Sequence, residues 1–156
     1  MNAPLDNMQI RTNQFRRYDP ISNTHGMVRQ QGHRPHQGWD LQAGVGTPVR
    51  AVANGLVWAK QSKDYGLSLI LQFDANGRTL YAFYAHLSEI TVNVPCSVQE
   101  GTVIARSGMS GNAKSIPVAE AHLHFEIRTT PSPGKGLGGR IDPGEVLGYQ
   151  YYVCPL

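Results

Sequence analysis

The chain has little cysteine and no long apolar run, and each of these two absences excludes a class of protein. Its 156 residues include only two cysteines, Cys96 and Cys154, which have no metal-ligand spacing. A cysteine-rich structural zinc site and a disulfide-stapled mini-protein are therefore excluded. We expect two unpaired thiols, although a single disulfide between them stays open. No stretch of 18 apolar residues occurs, so we expect no membrane span.

Clustered positive charge is also missing. The formal net charge is +3, and Arg16-Arg17 is the only adjacent basic pair. A nucleic-acid binder concentrates its lysines and arginines in a stripe or a reading module, so we expect no nucleic-acid partner. Residues 1–17 have no apolar run typical of a secretory signal. The chain would therefore stay where it is made, use another export route, or be part of a longer protein.

Glycine and proline are abundant, with 17 and 10 residues, whereas no convincing helical period extends over ten residues. Short runs of β-branched and aromatic residues recur between turn signals. Asn54-Gly55 and Asp74–Gly77 are predicted to be hairpin turns. The fold class is therefore mainly β: a single antiparallel β-sheet domain with hairpin connections and little helix. The predicted strands are 47–53, 56–60, 67–73, 79–85, 102–106 and 122–129.

We divide the chain into three segments. Residues 1–24 are a polar arm lying on the domain, and whether this arm forms the first strand of the sheet stays open. Residues 25–130 form the core, in which 112–121 hold one short helical turn at most. Residues 131–156 are a C-terminal loop and tail, and the last sixteen carry no structural prediction. We expect a monomer.

His122 and His124 belong to an alternating run, and residues two apart on a strand face the same side. Both imidazoles would point one way, with Leu123 and Phe125 pointing into a core. Glu126 has the same parity and would either orient one ring or reach solvent. Buried polar rings need partners, so the spacing fits both a metal site and a pair of satisfied or exposed histidines.

His36 and Asp40 lie four residues apart around Gly38, which argues against a helix interior. On an extended segment these two positions would share a face. A loop ion pair is the alternative to a metal site. Imidazole and carboxylate are ligand types that divalent ions such as zinc prefer. Because a catalytic zinc uses three protein ligands and keeps a position for water, this cysteine-poor set favours a catalytic site.

Three further histidines are weaker candidates. His86 follows the strand 79–85, where it would either cap the strand end or carry protons in the same site. His25 and His33 lie in the polar N-terminal third, and we expect them to be surface groups. His33 precedes His36 by only three residues, so an exchange of ligand roles stays open.

In order and spacing, these motifs resemble the M23 (LytM/lysostaphin-type) family of zinc metallopeptidases, which cut peptidoglycan peptides. The resemblance covers roughly residues 25–130 and implies a LytM/lysostaphin-like β domain. The segments that carry it are His36-Gln-Gly-Trp-Asp40, Gly46–Val57, Tyr84-Ala-His-Leu87, Gly101–Gly108 and His122-Leu-His-Phe-Glu-Ile127.

The resemblance implies that His36, Asp40 and His124 bind Zn²⁺, and that His86 and His122 are catalytic histidines outside the ligand set. Zinc would acidify a water and polarise the scissile carbonyl. Because the glutamate of the helical HExxH motif is missing, one histidine would accept the water proton while the other steadies the oxyanion. Which histidine has which role stays open. The implied function is a zinc-dependent endopeptidase that hydrolyses peptide crosslinks of bacterial peptidoglycan.

The chain departs from the family pattern at 109–121, a loop that is longer than usual and ends Glu-Ala instead of Gly-Pro. That loop borders the cleft in relatives, so the substrate preference is not implied. A leaderless domain resembles phage lysis enzymes and antibacterial effectors, which act in the periplasm or extracellularly at the cell wall. A cognate inhibitor or a secretion-system carrier would then be a partner. The alternative is a non-catalytic LytM-like module that binds cell wall or activates an amidase, and the complete ligand set argues against it.

Overall fold

The computed structural model describes residues 1–12 and 20–153, and extended strands make up most of its regular structure. One helix, α1 (Pro143–Leu147), and three 3₁₀ turns at Pro20–Asn23, Gly111–Ser115 and Val118–Glu120 accompany them. None of the described helices is long and apolar enough to cross a lipid bilayer. The strands are β1 (Gly26–Arg29), β2 (Arg34–His36), β3 (Trp39–Gln42), β4 (Pro48–Arg50), β5 (Gly55–Ser62), β6 (Gly66–Ala75), β7 (Arg78–Ile90), β8 (Cys96–Val98), β9 (Val103–Ser107), β10 (His122–Arg128) and β11 (Arg140–Ile141).

One antiparallel sheet organises the described part of the chain. Nine strands belong to it, and its continuous path is β11-β10-β7-β6-β5-β8. β3 pairs with β10, while β9 pairs with both β7 and β4. β1 and β2 form a separate antiparallel hairpin. The predicted fold class is confirmed, and β10 lies between β7 on one side and β3 and β11 on the other.

The hairpin predicted at Asp74–Gly77 is confirmed. Ala75 pairs with Arg78, which leaves Asn76 and Gly77 as a two-residue turn with φ angles of 51° and 77°. Positive φ at both central positions suits a turn whose twist matches the strands, and Asn-Gly favours this geometry. The turn joins β6 and β7, the longest strands of the sheet.

The hairpin predicted at Asn54-Gly55 is wrong, because β4 pairs with β9 while β5 pairs with β6 and β8. The Asn54 side chain instead accepts a hydrogen bond from the backbone N–H of Glu100 at 2.7 Å. A Cβ at Gly55 would lie 2.0 Å from the carbonyl oxygen of Gln72. The glycine therefore permits close approach of two backbones, and the dipeptide is part of a crossover.

Both faces of the sheet are covered, but by different chemistry. Leu123, Phe125 and Ile127 of β10 are fully buried in the main apolar core. A smaller apolar cluster, built around Ile70 and Phe83, uses the opposite parity of β6 and β7. On this same face of the sheet, β10 carries polar side chains instead of apolar ones.

The described N-terminal residues, 1–12, pack on the domain. Leu5 and Ile10 are buried in the main core. The backbone N–H of Arg11 donates to the carbonyl oxygen of Asp40 at 2.9 Å. This backbone hydrogen bond and the two buried side chains thus attach the N-terminal segment next to β3.

The C-terminal tail contains a short capped helix. The Asp142 side chain accepts a hydrogen bond from the N–H of Gly144 at 3.1 Å, and Pro143 is the first helical residue. Gly148 ends the helix with φ 70°. Among the cysteines, Cys96 is half-buried and in no disulfide with another described residue. Arg16, Arg17 and Cys154 lie outside the described residues.

Candidate metal centre and catalytic cleft

One face of β10 carries four polar side chains in a row. His122, His124, Glu126 and Arg128 alternate with the core residues, and their exposed fractions are only 5%, 5%, 0% and 3%. Strand geometry projects all four into the same space. Such a buried polar row requires partners for every donor and acceptor.

Register places a carboxylate beside this row. In the antiparallel pairing of β3 with β10, Asp40 lies directly opposite His124. Asp40 Oδ1 is 2.8 Å from His124 Nδ1 and 3.2 Å from His36 Nε2. Ligand atoms of these three residues all lie within 4.8 Å of one another. The donor set is compact enough to share one metal ion.

His36 reaches this position because the chain turns between β2 and β3. The extended segment predicted for His36 and Asp40 is interrupted at Gln37-Gly38, so the two residues lie on different strands. A Cβ at Gly38 would lie 2.1 Å from the carbonyl oxygen of Phe125. Only glycine allows so close an approach to β10, and this approach brings His36 over Asp40.

Backbone carbonyls fix the tautomers of three rings. A carbonyl oxygen only accepts, so Nδ1 must carry the proton and the neutral ring keeps a lone pair on Nε2. The Nδ1–oxygen distances are 3.0 Å from His36 to Thr24, 2.8 Å from His86 to Ser110 and 3.0 Å from His122 to Glu120.

His124 lies between two carboxylates. Its Nδ1 donates to Asp40 Oδ1 at 2.8 Å and its Nε2 donates to Glu126 Oε1 at 2.9 Å. Burial would lower the pKa of His124, but the hydrogen bonds to Asp40 and Glu126 raise it to about 9. A metal ion at Nδ1 would replace one proton, while Nε2–H would still donate to Glu126.

Asp40 is held in an orientation that separates its two oxygens. Oδ1 faces the histidines, whereas Oδ2 lies 3.0 Å from Arg29 Nη2 and 3.9 Å from Arg11 Nη1. Burial would raise the pKa of Asp40, but the neighbouring histidines, His36 foremost, hold it well below its usual range. The carboxylate is therefore ionised and offers one oxygen to the site.

Glu126 is a fully buried anion with every oxygen engaged. Oε2 accepts hydrogen bonds from Arg128 Nε at 2.6 Å and Arg140 Nε at 2.9 Å. Burial would raise the pKa of Glu126, but the hydrogen bond from His124, together with the arginine charges, lowers it to about 2. Of the two alternatives open for this residue, the structure shows the one in which it orients a ring.

His86 lies within β7 at an irregularity, since the strand extends to Ile90. Leu69 pairs with Tyr84 but Leu67 pairs with Leu87, so β7 has an extra residue here, and His86 has φ 59°. A left-handed backbone costs a non-glycine residue about 1 kcal/mol or more and is concentrated at functional sites.

The bulge brings the His86 ring to His122, with centroids 5.2 Å apart. Burial lowers the pKa of His86. Burial also lowers the pKa of His122, to about 4. Both rings are therefore neutral near pH 7, which is the state of a proton acceptor.

The histidines open into a cavity of about 640 Å³. Tyr65, from the turn between β5 and β6, stacks on His124 with centroids 5.5 Å apart, and its hydroxyl accepts a hydrogen bond from the Gln37 amide. Ile116 and Asn112 of the long 109–121 loop also line the cavity. His122 and His124 of the polar β10 row are among its lining residues, so the cavity is a cleft beside this row.

Several residues of the site escape sequence reasoning. Arg29, Tyr65 and Arg140 belong to no motif, and no spacing signal could have found them. Conversely, His33 is exposed in the turn between β1 and β2 and His25 is half-buried. Neither of these two histidines lines the cavity or joins the compact ligand group.

Two curated relatives are similar over much of the chain. The peptidoglycan DD-endopeptidase ShyA of Vibrio cholerae is 32% identical over 108 residues, which are 69% of this chain and 23% of the relative. The glycyl-glycine endopeptidase ALE-1 of Staphylococcus capitis is 33% identical over 94 residues, which are 60% of this chain and 25% of the relative. The chain thus spans about a quarter of the length of each.

A solved structure is similar in fold. A zinc-containing peptidase from Vibrio cholerae superposes with a TM-score of 0.50 at 29% identity, covering 60% of this chain and 26% of the other. The family model described as Peptidase family M23 matches residues 34–149, which include every residue of the ligand group and both further histidines. The chain therefore belongs to peptidase family M23.

Proposed function

We propose that the protein is a zinc-dependent endopeptidase that hydrolyses peptide crosslinks of bacterial peptidoglycan. The observation that carries the proposal is the convergence of His36 Nε2, Asp40 Oδ1 and His124 Nδ1 among residues that line the cleft. ShyA, named a peptidoglycan endopeptidase, supports the substrate. The zinc-containing neighbour supports the metal.

The donor chemistry fits zinc. Two imidazoles and one carboxylate are a set that catalytic zinc sites use, with the remaining position left for water or substrate. Outer hydrogen bonds of this kind orient metal ligands and raise their basicity. The outer partners are Thr24 for His36, Arg29 for Asp40 and Glu126 for His124.

Proton transfer would be the work of the two further histidines. A bound zinc ion would polarise the scissile carbonyl and lower the pKa of a water molecule. One Nε2 of the His86–His122 pair accepts the water proton and later returns it to the leaving amine. The other ring is neutral at pH 7, so it would have to take up a proton from solvent on Nε2 before it could donate a hydrogen bond to the developing oxyanion. The ring centroids lie 5.2 Å apart, so a substrate group between them could contact both rings.

Chelation tests the proposal. Removing the metal should abolish cleavage of purified sacculi, and added zinc should restore it. His36→Ala should lose both zinc and activity. His33→Ala is the matched control, because it removes an exposed imidazole three residues away and should change neither. Full activity after chelation would contradict the proposal.

A non-catalytic module that binds cell wall or activates an amidase predicts other results. Purified protein with no zinc, and none taken up on titration, would favour it. The complete set of three ligand residues and two further histidines in one cleft argues for the enzyme.

We further propose that the protein acts at the cell wall, in the periplasm or outside the cell, as an antibacterial effector or a lysis enzyme. A cognate inhibitor or a secretion-system carrier would be its partner. Expression in a Gram-negative host with an added export signal should lyse cells, whereas the same chain kept in the cytoplasm should not. Equal growth in both cases would contradict this role.

The division into a peptidase core at 25–130 with flanking segments stays a proposal. Arg11 and Arg140 lie outside that core, and their contacts with Asp40 and Glu126 support a functional unit that includes both flanks. Removal of residues 131–156 should therefore reduce zinc affinity; unchanged affinity would support a self-sufficient core.

A further inference from the structure

The two curated relatives do not decide which bond is cut. One is named a DD-endopeptidase and the other a glycyl-glycine endopeptidase, and their identities to this chain, 32% and 33%, are equivalent. A glycyl bridge carries no charge, whereas a peptide with acidic residues or a free end carries carboxylates. The charges of the cleft can therefore distinguish the two substrate classes.

The C-terminal loop before β11, residues 131–139, contributes Lys135 and Gly136 to the lining of the cleft, and hydrogen bonds hold it there. Arg140, which pairs with Glu126, also donates through Nη1 to the carbonyl oxygens of Gly134 at 2.6 Å and Gly136 at 2.7 Å. The N–H of Gly136 donates to Gln37 Oε1 at 2.8 Å. The backbone on both sides of residue 135 is thus attached to the base of the site.

Lys135 lies in this loop between the two anchored residues Gly134 and Gly136. It lines both the 640 Å³ cavity that holds the histidines and an adjoining cavity of about 280 Å³. Arg34, on β2, lines the first of these cavities. Both side chains belong to exposed residues, and within residues 1–12 and 20–153 neither has an ion-pair partner. Their charges are available to a ligand.

The other charges of the cleft are largely matched. Asp40 faces Arg29 and Arg11, and the buried Glu126 faces two further arginines. Asp64 is the exposed carboxylate among the residues lining the larger cavity. Positive charge therefore exceeds negative charge among the residues that line this cavity, and Lys135 and Arg34 supply the excess.

We propose that Lys135 and Arg34 bind a carboxylate of the peptide, so that the cleft takes carboxylate-bearing stem peptides in preference to uncharged glycyl bridges. This inference rests on the proposed function, because it takes the ligand from peptidoglycan. An exposed ion pair contributes modestly and is screened by salt. We expect each cation to strengthen binding about 1.5- to 5-fold at low ionic strength.

Direct binding tests the inference without cleavage. In a His122→Ala background, calorimetry compares a synthetic cross-linked stem peptide bearing free carboxyl groups with the same peptide amidated. The free peptide should bind more tightly. Lys135→Gln or Arg34→Gln should weaken its binding about 1.5- to 5-fold while leaving the binding of the amidated peptide unchanged. Lys114→Gln and Arg78→Gln make the same charge changes outside the cleft and should preserve the difference.

Equal binding of the two peptides, a difference that survives both cleft variants, or no binding of either peptide would overturn the inference. The two proposals fail separately. Sacculi that are cleaved without any carboxylate preference would retain the endopeptidase and remove the subsite. A carboxylate preference that depends on Lys135, in a protein that cleaves no sacculi, would retain the subsite and remove the endopeptidase.

Discussion

The two faces of β10 have the same backbone and opposite chemistry. Leu123, Phe125 and Ile127 lie in the apolar core on one face, whereas the other face carries buried histidines and an ion network. One face gains free energy from apolar burial. The other buries polar groups that must be matched one by one. A strand can thus stabilise the fold and hold the chemistry at alternate positions, and substitutions on the two faces should have separable effects.

The largest effect is expected at His122. His122→Ala should lower the rate of sacculus cleavage about 10²–10⁴-fold, because a positioned proton-transfer group is lost. Zinc content and thermal stability should stay close to those of the parent, since Asp40, His36 and His124 are intact. Turnover assays with metal analysis check this. Loss of zinc together with activity would place His122 in the ligand set instead.

The opposite face should respond through stability. Phe125 is fully buried, so Phe125→Ala should lower the free energy of unfolding by about 3–5 kcal/mol. Urea denaturation of the metal-free protein measures the change. Molecules that remain folded should still bind one zinc ion. A small stability change coupled with a weakened metal site would show that the two faces are not separable.

A smaller effect is expected at Glu126, which lies on the polar face but outside the ligand set. Glu126→Gln keeps an acceptor for His124 and removes the charge, so zinc affinity should fall about 10–100-fold. Competition with a chromogenic chelator measures it. Glu89→Gln changes an exposed carboxylate that pairs with Arg106 and should leave affinity unchanged. Equal affinity in both variants would limit Glu126 to a structural role.

The smallest effect concerns protons. Hydrogen bonds to Asp40 and Glu126 raise the pKa of His124 to about 9. Both ring nitrogens therefore carry protons at neutral pH, and the metal must displace the one on Nδ1. Zinc uptake near pH 7 should therefore release about one proton from His124, and affinity should rise with pH before levelling above about 9. Calorimetry in buffers of different ionisation enthalpy counts the protons. Release that persists unchanged above that pH would assign them to another group.

Local periodicity explains why much of the fold was predictable. The period of two in residues 122–129 fixed which side chains of β10 share a face, and Asn76-Gly77 specified its own turn through backbone preference. The ends of α1 were equally readable, since Asp142-Pro143 and Gly148 are standard start and stop signals. The helix between them has only five residues, too few to show an apolar period, so periodicity predicts no helix there.

What could not be predicted depends on pairing between distant segments. Arg29 and Arg140 reach the site through β1 and β11, and no local pattern relates these strands to Asp40 or Glu126. Asn54-Gly55 has strong turn chemistry, yet the pairing of β4 with β9 overrides it. The conformation of His86 arises from a register shift between β6 and β7, which a sequence pattern does not show.

The left-handed backbone at His86 sets two energetic terms against each other. Glycine and asparagine adopt that conformation more readily than histidine, so either one would relax the strand at this residue. The same exchange would remove the hydrogen bond to Ser110 and the packing of a buried ring. The backbone strain at this position is therefore tolerated only together with the contacts of the imidazole.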